Sequence, residues 1–342
     1  MSTHSLPSGH RSGDVSGLCR PRGLSPAALV AGLLLAACAQ TALAQSFPSR
    51  PVRMMVPYPP GGAVDIVARL MSERMSRELG VPVAIENKAG AAGVIGAEQV
   101  ARSPADGYSV VMSTVSSHAI APAVYRKMPY DPVADFAPIT VTVLTPYIIT
   151  VNPQVPANTL AELIALARAR PGTLAFGSSG TGTTPHLAGE LFNTLAGVKL
   201  THVPYKGSAP MVNDLLGGQV QVAFDNTVIP HIRSGRLRGL AVTGSARLAA
   251  VPDIPTPTEA GLSGYEAVGW MGLMAPRATP APVIARLQQA AAAALGQAEV
   301  KERLEAMGFQ GAADTPEQFA RFLASEIGKW ARVVKDAGIQ PE

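Results

Sequence analysis

Residues 52–79 read VRMMVPYPPGGAVDIVARLMSERMSREL and decide the fold. The apolar run Val52–Val56 is typical of a buried strand, and the six residues after it, rich in Pro and Gly, predict a tight loop. From Val64 to Leu79 apolar residues recur at i, i+3 and i+4, which predicts a helix that ends at Gly80. The segment is therefore predicted to be a strand, a tight loop and a helix.

The same alternation of short apolar runs and helical periodicity continues along the chain and is typical of a parallel α/β sheet. An apolar stretch at 139–151 is long for one strand. After it, Thr159 and Glu162 form a capping box that opens a new series of strands and helices. An apolar piece at 268–274 can carry the chain back to the first series, and three helices are predicted to follow it.

Two α/β domains follow from this order of elements. Residues 45–145 and 266–342 are predicted to form the first domain, and residues 146–265 the second. A chain that crosses twice between two such sheets leaves a cleft that the carboxyl ends of the strands face. We expect the protein to be a monomer.

The N-terminal segment has the order of an export signal. A polar stretch with three Arg precedes an apolar, Ala-rich run that closes on Ala42-Leu43-Ala44, an A-x-A cleavage site. We predict cleavage after Ala44 and export to the periplasm, rather than a buried or membrane-anchoring helix for residues 1–44. Leu35-Ala36-Ala37-Cys38 also resembles a lipobox, so a form that is lipid-anchored at Cys38 stays open as the alternative.

Composition and charge exclude several function classes. The chain has 342 residues, of which 15% are charged and 5% aromatic, with a net charge of +4 and no run of Lys or Arg. These values indicate a globular protein with a large core and predict no nucleic-acid partner. Loss of residues 1–44 removes both cysteines and leaves four histidines without an H-E-x-x-H motif. We therefore predict no metal, no cofactor and no catalytic residue.

Two glycine-rich loops are the strongest candidates for a ligand site. The loop from Tyr58 to Gly62 ends a strand and opens a helix, so its last N–H groups and that of Ala63 are expected to face an anion in the cleft. The loop 177–183, GSSGTGT, adds hydroxyl donors, and Pro185 at the next helix start is expected to leave the preceding N–H groups free. Two such loops can hold a carboxylate from both sides. The alternative is that each is only a tight turn requiring positive φ.

Further candidates lie near helix starts or after strands. Asp65 could orient a polar group of the ligand or only stabilise the first turn of its helix. His186 could contact the ligand or pack on its loop, and Lys206 could attract a second carboxylate or be a solvated charge. The remaining candidates share a place after a predicted strand, which directs them toward the cleft: Thr114, Ser116, Tyr205 and Asp225.

Five motifs carry a specific resemblance: PYPPGGAVDIVARL at 57–70, FGSSGTGTTPHLAGELF at 176–192, VPYKGSAPMVNDLLGGQVQVAFD at 203–225, SGRLRGLAVTGSAR at 234–247 and VPDIPTPTEAG at 251–261. Over residues 48–340 the chain resembles the substrate-binding receptors of tripartite tricarboxylate transporters, called Bug-type or TctC-type receptors. The resemblance implies a type II periplasmic-binding-protein fold that closes on a small carboxylate, and a two-component membrane permease as partner. The residues expected to bind the ligand are Tyr58, Pro60, Gly61, Gly62, Ala63, Asp65, Thr114, Ser116, Ser178, Ser179, Gly180, Thr181, Thr183, His186, Tyr205, Lys206 and Asp225.

Two other functions are considered beside a transport receptor. A sensor component that presents its ligand to a signalling protein can have the same fold, so the sequence does not separate the two. An exported hydrolase would need G-x-S-x-G, but Thr181 stands two residues after Ser179, where Gly is required. A P-loop would need G-K-[ST], which this chain lacks. The sequence therefore predicts a receptor and not an enzyme.

Overall fold

The structure is a computed structural model that describes residues 47–341; the predicted export signal and both cysteines lie outside them. The strands, numbered along the chain, are β1 (Val52–Val56), β2 (Val83–Asn87), β3 (Ser109–Thr114), β4 (Phe136–Pro146), β5 (Ile148–Val151), β6 (Ala175–Ser178), β7 (Thr201–Pro204), β8 (Val222–Asp225), β9 (Arg238–Val242), β10 (Val268–Pro276) and β11 (Gln310–Gly311). They form two sheets, in the orders β11-β4-β10-β3-β1-β2 and β7-β6-β8-β5-β9. We call each sheet with its helices a lobe, the six-stranded one being the first lobe.

Helices separate and cover the strands. The α-helices are α1 (Ala63–Leu79), α2 (Val94–Ala101), α3 (Ala121–Val124), α4 (Leu160–Ala169), α5 (Thr184–Ala196), α6 (Ser208–Leu216), α7 (Ile229–Arg233), α8 (Ala281–Gly296), α9 (Ala298–Ala306) and α10 (Pro316–Asp336). A short π-helix at Ser116–Ile120 and a 3-10 turn at Ala91–Gly93 were not expected from the sequence. Within residues 47–341, no helix combines the length and the apolar character needed to cross a membrane.

The α/β fold with two sheets is confirmed, and each sheet combines the expected parallel strands with antiparallel ones. Strand β1 is parallel to β2 and β3, and β6 is parallel to β7 and β8. In contrast, β10 is antiparallel to β3 and β4, and β5 is antiparallel to β8 and β9. These strands carry the chain between the lobes and are not reached through a βαβ crossover, which is the connection that makes neighbouring strands parallel.

The strand and helix predicted for residues 52–79 appear with ends close to the expected ones. Strand β1 has the predicted bounds, and α1 ends at Gly80, whose φ of 72° is the left-handed conformation that glycine tolerates. The long apolar stretch 139–151 falls in two strands, β4 and β5. The hydroxyl of Thr159 accepts the N–H of Glu162 as a helix cap, whereas the carboxylate of Glu162 accepts the N–H of Asn158 instead of completing the predicted box.

The two crossings between the lobes are joined by hydrogen bonds at one buried threonine. Only Tyr147 separates β4 from β5, and the chain returns after β9 through a segment that begins at Thr243. The Thr243 hydroxyl accepts the backbone N–H of Tyr147 at 2.8 Å and donates to the carbonyl of Ala267 at 2.7 Å. The backbone N–H of Thr243 donates to the carbonyl of Tyr147 at 2.8 Å. Thr243 therefore links the outgoing and returning chain.

The last helix, α10, packs behind the crossing strand β10. Thr315 and Gln318 form a complete capping box at its start. Its buried face places Phe319 edge-on against Trp270 of β10, with ring centroids 5.6 Å apart. The buried carboxylate of Glu326 accepts the indole N–H of Trp270 at 3.1 Å. Trp270 therefore has a fixed orientation where β10 lines the cavity described next.

Candidate ligand-binding site

A cavity of about 750 Å³ lies between the two lobes. It is lined from the first lobe by the β1–α1 loop, the end of β3 and part of β10, and from the second lobe by the starts of α5, α6 and α7. Nine of the predicted site residues line it: Tyr58, Gly61, Gly62, Ala63, Thr114, Ser116, Ser179, Thr183 and Asp225. Their contact with a ligand stays a prediction.

The first turn of α1 presents backbone donors to the cavity. No side chain caps the helix at Gly62, and the first intrahelical bond runs from the N–H of Ile66 to the carbonyl of Gly62 at 2.9 Å. The N–H groups of Ala63 and Val64 therefore precede the intrahelical ladder, and both residues line the cavity. Gly61 differs from the expectation, because its N–H donates to the Asp65 carboxylate at 2.9 Å.

Asp65 stabilises this loop from behind and does not line the cavity. Asp65 is 2% exposed, and its carboxylate also accepts from Nε of Arg69 and Nδ2 of Asn87, both at 2.8 Å. The bond from Arg69 lowers the pKa of Asp65 to about 2, although burial opposes this shift. The expected place of Asp65 beside the ligand is thus corrected, because its oxygens are turned toward these protein donors. Asn87, at the end of β2, was not anticipated.

The glycine-rich loop before α5 is held mainly by its own hydrogen bonds. The hydroxyl of Thr183 donates to the carbonyl of Gly180 at 2.7 Å, and the N–H of Gly180 donates to Oγ of Ser178 at 3.2 Å. The N–H of Gly182 donates to Nδ1 of His186 at 3.2 Å. The expectation of free N–H groups upstream of Pro185 is therefore wrong for Gly180 and Gly182. These bonds fix the loop conformation that brings Ser179 and Thr183 to the cavity.

His186 supports the loop and does not line the cavity. The side chain is buried, and its ring stacks on that of His202 with centroids 3.9 Å apart. Burial lowers the pKa of His186 to about 3 and that of His202 to about 4. Neutral His186 therefore accepts the Gly182 N–H at Nδ1 and carries its proton on Nε2, which lies 3.8 Å from Glu190.

A third helix start, α6, also faces the cavity and was missed by the sequence analysis. Ser208, its first residue, lines the cavity and donates to the Asp225 carboxylate at 2.8 Å. The other oxygen of Asp225 accepts from the N–H and hydroxyl of Thr227 at 2.8 and 2.7 Å. The turn before α6 contains a single glycine, Gly207 with φ 112°, so it lacks the glycine-rich pattern of the other two loops.

A chain of hydroxyls leads from the cavity into the first lobe. Tyr58 and Thr114 line the cavity and lie 2.9 Å apart at their oxygens. Thr114 is 3.2 Å from Oγ of Ser117, which is 2.8 Å from Nδ1 of the fully buried His118. Burial lowers the pKa of His118 to about 3 and raises that of Tyr58. Both groups are therefore neutral in this chain of hydrogen bonds.

Eight predicted site residues do not line the cavity: Pro60, Asp65, Ser178, Gly180, Thr181, His186, Tyr205 and Lys206. The hydroxyl of Tyr205 donates to Asp214 at 2.7 Å, and Lys206 is exposed. Thr181 instead lines a small separate pocket with Val124 and Ile339. The expectation that Lys206 meets a second carboxylate in the cavity is not supported by this placement.

The charge of the site comes mainly from backbone. Of the Asp, Glu, Lys and Arg residues among residues 47–341, Asp225 alone lines the cavity. Three helices of nine residues or more, α1, α5 and α6, begin at the cavity, and the amino ends of helices carry partial positive charge. The site is suited to a small anion that backbone N–H groups and hydroxyls bind.

Two α/β lobes with such a cavity between them define a two-lobed solute-binding protein. The family model described as "Tripartite tricarboxylate transporter family receptor" matches residues 67–339, and the chain belongs to this family. Members of the family are periplasmic receptors.

Individual relatives agree with this assignment. Protein BugT of Bordetella pertussis is 39% identical over 86% of this chain and 91% of its own length. The solved structure of Rpa4515 from R. palustris with adipate is 40% identical, with a TM-score of 0.78 over 86% of this chain and 100% of that one. MatC from Rhodopseudomonas palustris with bound malate is 34% identical, with a TM-score of 0.74 over 84% of this chain and 100% of that one.

Proposed function

We propose that this protein captures a small carboxylate in the cavity between its lobes and delivers it to a two-component membrane permease. The observation that carries the proposal is that three helices, α1, α5 and α6, begin at one cavity. Among residues 47–341, no Lys or Arg lines this cavity. Helix amino ends stabilise anions, and two related solved structures hold adipate and malate. The protein is a receptor of this transport family and not an enzyme.

The carboxylate is held by the N–H groups of Ala63 and Val64 from the first lobe, and by the Ser179 hydroxyl and the first backbone N–H groups of α6 from the second lobe. Each lobe thereby contributes donors to one ligand, so binding stabilises the closed arrangement of the two lobes. Asp65 and His186 hold the two loops in this conformation, because they accept the backbone N–H groups of Gly61 and Gly182.

The test is a thermal-shift screen of carboxylates, each paired with its neutral amide. A ligand that binds the folded protein raises the Tm by mass action, so at least one carboxylate should raise the Tm while its amide does not. A protein that responds to no carboxylate, or equally to the amides, would show that the cavity is not an anion site.

The proposed location is the periplasm, with cleavage after Ala44. Intact-mass analysis of the exported protein tests this, because the expected mature chain begins at Gln45. A lipid-modified chain that begins at Cys38 would instead place the receptor on a membrane surface. We also propose that the mature protein is a monomer, which sedimentation of the same sample checks.

A further inference from the structure

The two lobes touch each other at the turn between α9 and β11. Gly308 lies in this turn of the first lobe, and Ile229 is the first residue of α7 in the second lobe. A methyl group added at Gly308 would lie only 2.5 Å from Cδ1 of Ile229. Apart from the two chain neighbours, no other atom of residues 47–341 would lie within 4 Å of it. The contact between the lobes at Gly308 is therefore made by one terminal methyl group.

The turn that carries Gly308 is fixed on both sides. The φ of Gly308 is 76°, the left-handed conformation in which helices commonly end. The N–H of Phe309 donates to the carbonyl of Leu304 in α9 at 2.9 Å, which closes the end of that helix. On the other side, β11 pairs with β4 of the first sheet. The backbone at Gly308 therefore has little freedom to move aside when the lobes approach each other.

Ile229 is fixed in the second lobe. Its side chain is buried and belongs to the apolar core of that lobe, together with residues such as Leu215 and Val228. Its N–H donates to the carbonyl of Asn226 at 3.2 Å. The contact therefore joins a fixed backbone of one lobe to a buried side chain of the other.

The contact lies among residues that line the cavity, but Gly308 does not line it. Met307 and Phe309 line the cavity from the first lobe, and Ile229 and Pro230 line it from the second. A change at Gly308 therefore leaves the lining side chains in place. It reaches a ligand only through the distance between the lobes.

From these observations we propose that Gly308 and Ile229 form a steric stop that sets how closely the two lobes approach each other around the ligand. This inference rests on the proposed carboxylate-binding function and adds a residue outside the cavity on which binding depends. Donors of both lobes must reach the same carboxylate, and hydrogen bonds need donor–acceptor distances of about 2.7–3.2 Å. A side chain at position 308 keeps the lobes farther apart than this, so Gly308 is a positioning residue.

The first test adds a single methyl group, and Gly80→Ala is the matched control for Gly308→Ala. Gly80 also follows a helix, has a φ of 72°, and a methyl group there would have no described atom within 4 Å. Both substitutions carry the same backbone strain, so they should lower the Tm by similar amounts. We expect Gly308→Ala to bind adipate, or whichever carboxylate of the screen binds most tightly, at least about tenfold more weakly than Gly80→Ala does. Tenfold corresponds to the loss of about one hydrogen bond to a charged group. Equal affinities in calorimetry would overturn the proposal.

The second test restores the space from the other lobe. Ile229→Val removes Cδ1, the one described atom that the added methyl group would meet. The double variant Gly308→Ala with Ile229→Val should therefore bind the same carboxylate within about threefold of Ile229→Val alone, because the two positions are coupled. A double variant as weak as Gly308→Ala would show that the loss comes from the strained turn and would overturn the stop.

The double variant also decides the question if Gly308→Ala alone does not fold. It should then fold and bind, because its added methyl group has no clash, whereas failure of both variants would overturn the stop. None of these outcomes affects the proposed function, which concerns the wild type. If no carboxylate binds the wild type in the screen described above, the proposed function itself fails, and this inference fails with it.

Discussion

The carboxylate of Asp65, which does not line the cavity, accepts at 2.9 Å the backbone N–H of Gly61, a cavity-lining residue four positions earlier in the chain. The same carboxylate binds Arg69 and Asn87, so its charge is neutralised by partners within the first lobe. Asp65 is therefore a positioning residue of the β1–α1 loop, and its effect on ligand binding is indirect.

Substitution of Asp65 should affect all carboxylates alike. Asp65→Asn keeps the shape but places an amide where Arg69 and Asn87 need an acceptor, so the loop becomes less ordered. We expect about threefold to tenfold weaker binding, in calorimetry, of every carboxylate that the screen identifies. Glu73→Gln on the exposed side of the same helix is the control and should have no effect. A loss confined to one ligand class would instead indicate direct contact with Asp65.

Buried histidines should make the protein less stable in mild acid. The pKa of His118 is about 3 in the folded protein against 6.5 as the ordinary value, so below pH 6.5 the unfolded chain binds a proton that the folded chain excludes. Stability is unaffected by this group above pH 6.5 and falls by about 1.4 kcal/mol per pH unit below it.

The measurement is urea unfolding at several pH values from 7 to 4. His118→Phe keeps an aromatic ring beside Tyr130 and Phe136. Between pH 6 and 4 it should reduce the pH dependence of the free energy of unfolding by about 1.4 kcal/mol per pH unit. His231→Phe is the control, because His231 is a partly exposed residue of α7. Identical slopes in the wild type and His118→Phe would contradict the assignment of a neutral buried imidazole.

The threonine that links the two interlobe crossings should be important for stability. Thr243→Val keeps the side-chain shape but leaves the N–H of Tyr147 and the carbonyl of Ala267 without their hydroxyl partner in a buried region. We expect a loss of about 2 to 4 kcal/mol in the free energy of unfolding. Thr201→Val on exposed β7 should change it by less than about 0.5 kcal/mol in the same urea titrations. Equal effects would show that the crossing does not depend on Thr243.

Local structure could be predicted well from the sequence because it depends on neighbouring residues. The apolar run Val52–Val56 and the stop at Gly80 are local signals, and the structure has both. The direction of the crossing strands β5 and β10 was not accessible in this way, because it depends on which distant strands they pair with.

The hydrogen bonds within the site also depend on residues that are distant in sequence, so the site could be predicted only in part. The glycine-rich turns correctly indicated where two loops meet the cavity, but not which of their N–H groups the protein itself uses. Asp65 is turned away by Asn87, 22 residues later, and Gly182 donates to His186. Ser208 was not predicted because one glycine before a helix is a weak signal; its place at a helix start, next to Gly207 and four residues after the end of β7, could have indicated it.

The central claim is that backbone N–H groups at helix starts bind the carboxylate, and Ala63→Pro tests it most directly. Proline is well tolerated at the first position of a helix, so this change removes one donor at the cavity while α1 stays intact. Ala298→Pro makes the same change at the exposed start of α9 and is the matched control. In calorimetry with whichever carboxylate of the screen binds most tightly, we predict at least about tenfold weaker binding for Ala63→Pro at an unchanged Tm, and wild-type binding for Ala298→Pro. Wild-type affinity in a folded Ala63→Pro variant would contradict the claim.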